Sequence, residues 1–140
     1  MDFDYCMRKG LIKRNERAAE RVENSIATSK KFLNSAVKNF RIQENEMCVI
    51  ASYNSIFHSG RALLFRKGYT EKSHFCLVIA LRFLYREDSK ILDFLQSIDK
   101  IRLSRHEIQY RGKSADSEES KFVMGLAHDF LDHVKGIMGV

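Results

Sequence analysis

Apolar positions recur at helical spacing along most of this chain, and no proline interrupts them anywhere. Val22, Ile26, Ser29, Leu33, Ala36 and Phe40 step by alternating fours and threes, which is a helical seam and not a strand. Ile50, Tyr53, Phe57, Gly60 and Leu64 do the same, and Gly68 after Arg66-Lys67 has the chemistry of a left-handed stop behind cationic last-turn residues. Gly60 lies within its stripe, where a missing side chain lets another helix approach. Phe75–Tyr85 is apolar nearly all round and is expected to be the most buried helix. Asp88 or Ser89 can cap the next helix, whose line runs Ile91, Leu95, Ile98, Arg102, Arg105. Asp116 with Glu119 opens the last one in a capping-box pattern, followed by a seam of Phe122, Leu126, Phe130, His133 and Ile137. The spacing predicts one all-α domain over residues 1–140, an antiparallel bundle of four long helices plus one or two short ones. The end of the helix that follows Val22 is not marked, since RIQENE holds neither Gly nor Pro.

Arg102 and Arg105 are the sharpest chemical feature. They continue an apolar line, so they project toward a core or groove, where an unpaired guanidinium is very unfavourable. Either a carboxylate from another helix neutralises each one, or each is kept for a phosphate, which the planar fork suits. Asn54, His58 and Arg61, at spacings of four and three, form a polar strip beside the apolar seam. They line a ligand cleft with Arg105, or they tie helices together by hydrogen bonds. His128 with Asp132 and Asp129 with His133 are i, i+4 surface pairs and not a metal site. There is no phosphate-cradling glycine loop, no metalloprotease or serine-hydrolase motif, and no cofactor box, so no cofactor and no metal is expected.

The net charge is +6. Residues 1–42 carry ten basic against five acidic side chains and residues 61–113 twelve against six, while the tail from Ser114 is acidic. Such asymmetry suits an anionic partner such as RNA or a nucleotide, and equally a basic solvated face. The longest apolar run, Phe75–Leu81, ends at Arg82 and cannot span a bilayer. No apolar stretch of a signal peptide follows the first methionine. Cys6, Cys48 and Cys76 form no CxxC pair and their number is odd, so three buried, reduced thiols in a cytoplasmic protein are expected.

Tyr53, Phe57, His58, Arg61, Ala62, Leu63 and Leu64, then Lys67-Gly68, then Lys72 and His74, resemble the long helix and following turn of the HEPN family. The resemblance is carried by Ala51–Leu77 and extends over Ile91–Ile137. It implies a helical bundle like the substrate-binding subunits of nucleotidyltransferases, commonly a homodimer paired with a minimal nucleotidyltransferase in a toxin–antitoxin-like module. In many members an Arg, then a polar residue, then a few more and a His form a metal-independent endoribonuclease pair between two subunits. Arg105-His106 is similar to the opening of that motif, but Tyr110 stands where its histidine belongs. Tyrosine, with an ordinary pKa near 10, is a poor general base. Neighbouring helical residues point about 100° apart, so His106 does not share the face of Arg105. Three expectations follow. One is a homodimeric nucleotide- or RNA-binding subunit, with Asn54, His58, Arg61 and Arg102 at the ligand. Another is a ribonuclease using Arg105, His106 and Tyr110. The last is a scaffold in which every polar position is structural.

Overall fold

A computed structural model describes all residues 1–140. In chain order it has α1 (Phe3–Arg8), β1 (Ile12–Arg14), a 3-10 turn (Ala18–Arg21), α2 (Val22–Arg41), α3 (Asn45–Arg66), β2 (Tyr69–Glu71), α4 (His74–Leu84), α5 (Ser89–Arg111) and α6 (Ser117–Met138). This is the expected bundle of four long helices and two short ones. The two strands were not anticipated. They form a minimal antiparallel ribbon pairing Ile12 with Glu71, Lys13 with Thr70 and Arg14 with Tyr69.

α3 is the hub, packed against α2, α4, α5 and α6. Its contact with α2 is close because the facing side chains are small. Ser29 Oγ lies 2.8 Å from the Ser55 carbonyl and 2.7 Å from Ser59 Oγ, and Ser25 donates to the His58 carbonyl at 2.7 Å. These bonds satisfy buried hydroxyls that would otherwise oppose burial. α3 therefore buries the most residues, and the expectation that Phe75–Tyr85 would be the most buried helix is corrected. α4 is short and lies at the outside, with Arg82 and Phe83 turned to solvent.

The helix ends are set by local chemistry. Ser73 accepts from the Cys76 amide, Asp88 from that of Ile91 and Asp116 from that of Glu119. The Asp116–Glu119 pair makes only half a capping box, since the Glu119 carboxylate accepts from Ser104 Oγ at 2.7 Å instead. Gly68 has φ +89° just beyond α3. α2 ends in a Schellman motif, with Glu44 N–H bonded to the Asn39 carbonyl and Gln43 N–H to that of Phe40. Gln43 takes the left-handed conformation, φ 62°, that glycine normally supplies there.

The buried face of α6 is Val123, Ala127, Phe130, Leu131 and Val134, with Phe122 61 % exposed. The expected seam was thus about one residue out of phase. α6 packs mainly on α3 and α2, and the small Ala127 lets it come close. On α5 the buried line includes Ile101 and Ile108 as well as Ile91, Leu95 and Ile98.

The thiol expectation is overturned for two of the three cysteines. α1 lies on the first turn of α4, and Cys6 is disulfide-bonded to Cys76 across 70 residues, with a Cα–Cα distance of 5.9 Å. Cys48 is free and buried.

Gly60 faces α4 of its own chain, so that part of the seam is already covered. A Cβ built there would meet Leu81 Cδ1 at 3.4 Å and Leu77 Cδ2 at 3.5 Å, ordinary contact. Gly60→Ala should therefore raise stability by about 1 kcal/mol through helix propensity, read as a later urea midpoint. A midpoint earlier than wild type would show that α4 sits closer than this.

Candidate functional site

α3, the start of α4 and the second half of α5 bring their polar side chains together. Tyr53 is buried on α3, as its place in an apolar stripe requires, and a buried tyrosine hydroxyl needs a partner. His74, the first residue of α4, supplies it, with Nδ1 2.8 Å from the hydroxyl. The His74 ring stacks on Phe57 at 3.9 Å. From α5 the Arg105 guanidinium lies over the Tyr53 ring, 4.5 Å from its centroid.

Each arginine has a different surrounding. Arg61 Nε is 2.6 Å from Glu71 Oε1 of β2, and its guanidinium lies 5.0 Å from the Phe65 ring centre. Arg102 Nε is 3.3 Å from Asp99, one turn earlier on the same helix, with its guanidinium 5.4 Å from the Phe75 ring. Arg105 has no carboxylate. Its Nη1 reaches only the neutral Gln109 side chain, at 3.4 Å. Its Nε is buried with no acceptor, the one buried side-chain nitrogen or oxygen so left. An internal ion pair with another helix, one of the two expectations for Arg105, is not what the structure contains.

The titration of the neighbours follows from this crowding. Burial holds His74 below the ordinary histidine value, and the charges of Arg105, Arg102 and Arg61 push the same way. Burial, then Arg61 and His74, do so for His58. Burial raises Tyr53, with Arg105 opposing. The cluster thus sets an unneutralised cation beside a neutral imidazole, chemistry that suits an anion.

A stability consequence is measurable. The unfolded chain takes up protons on His58 and His74 near 6.5, while the folded chain resists them to lower pH. Stability is therefore undiminished above that value and falls as pH drops through it. Urea melts at about pH 7.5 and about pH 5.5 should show the loss, and His74→Gln should shrink it. An unchanged loss in that variant would remove His74 as a contributor.

The sequence-predicted residues divide into three groups. Arg102, Arg105 and Arg61 all surround His74. His58 and Arg61 also border a polar depression of about 220 Å³ with Arg21, Asn24 and Thr28, on the α2 side. His58 is sandwiched there, stacked on Phe32 at 5.6 Å with Phe57 edge-on. Asn54 is half-buried one turn before His58. His106 and Tyr110 are exposed, their rings 4.9 Å apart, while Arg105 turns inward onto Tyr53. The three residues expected of a ribonuclease do not converge within one chain. His133 pairs with Asp88 at 3.3 Å and not with Asp129 as expected, while His128 keeps Asp132 at 3.7 Å. Tyr53, His74 and Glu71 were not read as site residues. The available signals were a tyrosine hydroxyl in an apolar stripe and a histidine directly after a capping serine.

The sequence model of the HEPN domain matches residues 22–137. A search of curated proteins finds no match. The family match spans α2 through α6 and includes every arginine and histidine of this cluster, and the chain belongs to the HEPN family.

Proposed function

We propose that this chain is the helical subunit of a two-component, toxin–antitoxin-like module, working as a single-domain homodimer in the cytoplasm beside a minimal nucleotidyltransferase, and that its arginine–histidine cluster holds a phosphate of a nucleotide or RNA at Arg105. HEPN proteins often pair with nucleotidyltransferases. The carrying observation is Arg105 itself, a guanidinium laid on the Tyr53 ring with no carboxylate partner and a buried Nε that nothing accepts from. Leaving such a donor unpaired is unfavourable, and a phosphate oxygen is the acceptor its fork fits best. Arg102 adds a second guanidinium, itself paired with Asp99, and His58 and Arg61 carry polar groups on toward α2. Cleavage is not part of this reading, because Tyr110 stands where the family motif has its histidine and a tyrosine is a poor general base at neutral pH.

Titration of fluorescein-labelled single-stranded RNA and of ATP, followed by anisotropy at two salt concentrations, tests the reading. Saturable binding that weakens with salt is expected. No binding at low salt would overturn it. Chelator-resistant RNA cleavage that Arg105→Ala and His106→Ala both abolish would replace it with the enzyme. Light scattering should give about twice the 16.3 kDa chain mass, and co-expression with the neighbouring reading frames should retain a nucleotidyltransferase.

A further inference from the structure

We infer that residues 1–17 form a thiol-operated clamp on the arginine–histidine cluster around Arg105. The Cys6–Cys76 bond fixes the connector that carries Glu71 and His74, and breaking it loosens the hold on phosphate. Only this last step rests on the phosphate reading of Arg105.

The clamp lies outside the family match, which begins at Val22. Residues 68–76, the connector after α3 and the start of α4, are held along their length by the N-terminal segment. Asn15 N–H bonds the Gly68 carbonyl at 2.8 Å, β1 pairs with β2, and Lys72 N–H bonds the Leu11 carbonyl at 2.9 Å. Phe3 packs edge-on against Tyr69 at 5.6 Å. The covalent bond closes this contact at Cys76, two residues beyond His74. The same connector serves the cluster, with Glu71 holding Arg61 and His74 holding the hydroxyl of Tyr53, on whose ring Arg105 lies.

A two-stranded ribbon of three residues each is marginal alone, and a six-residue helix does not persist without support. The disulfide therefore keeps α1 and β1 seated. Both sulfurs are fully buried, so exchange waits for α1 to lift. A dithiol reductant then attacks one sulfur, the S–S bond breaks and the other cysteine leaves as a thiolate that takes a proton. The second thiol of the reductant displaces the mixed disulfide. Two electrons and two protons pass to Cys6 and Cys76, and the reductant leaves as its own disulfide. A small-molecule disulfide drives the reverse. Cys48 takes no part, being buried with its sulfur 3.8 Å from the Ser120 carbonyl.

The test compares the whole protein equilibrated in oxidised glutathione and in dithiothreitol, together with Cys6→Ser. Peptide mapping, amide exchange and binding of the labelled RNA are read on each. In the oxidised protein a Cys6–Cys76 linked peptide is expected. On reduction, amides of residues 69–76 should exchange at least about tenfold faster, and RNA affinity should fall by about threefold or more. Cys6→Ser should match reduced wild type in both buffers; if that variant does not fold, the wild-type comparison decides alone. No linked peptide, unchanged exchange, or an unchanged affinity in protein that does bind would overturn the clamp. Exchange that changes while neither form binds RNA would overturn the phosphate reading and support the clamp.

Discussion

Reduction of the Cys6–Cys76 bond is expected to lower folding stability by about 4 kcal/mol, because the bond closes a loop of 70 residues and restrains the unfolded chain. In a domain of this size that corresponds to a fall in Tm on the order of 10 °C. Thermal melts with and without dithiothreitol measure it, and the helical signal before the transition should hardly change, since no long helix depends on the bond. Equal melting temperatures would mean that the bond does not form in solution.

Phe130→Ala is expected to cost about 3–5 kcal/mol, because Phe130 is fully buried and its loss enlarges an existing void. The ring lies 5.1 Å from Phe94 and borders a small apolar gap of about 20 Å³ shared with Leu81, Leu95 and Ile98. Phe122→Ala, on the exposed side of the same helix, should stay within about 0.5 kcal/mol. The pair of urea midpoints reports which face of α6 meets α3. Comparable losses in both variants would restore the seam first read from the sequence.

That contrast shows what periodicity can and cannot resolve. Phe122 and Phe130 both fit a 3.6-residue repeat, and only the docking of α6 on α2 and α3 decides between two phases of it. Caps at Asp88 and Asp116 were legible because each acts within three residues of itself. The end of α2 was not, because Gln43 adopts a conformation its identity does not announce. The ribbon and the disulfide depend on pairing between segments more than fifty residues apart, and neither strand exceeds three residues. At the site, the inward turn of Arg102 and Arg105 followed from helical spacing, as did the outward turn of His106. The bed of Arg105 on Tyr53, and the histidine behind that tyrosine, depend on the register of α5 and α4 against α3. No local pattern encodes that register.

The most direct measurement of the central claim is the titration of labelled single-stranded RNA into Arg105→Ala, with a urea melt of the same sample. A guanidinium that contacts phosphate contributes about 2–3 kcal/mol, so binding should weaken by roughly 30- to 150-fold. The melt should stay within about 1 kcal/mol of wild type, because no carboxylate is left stranded when Arg105 goes. A variant that binds RNA as wild type does, yet unfolds about 3–5 kcal/mol more easily, would contradict the account and make Arg105 a structural residue.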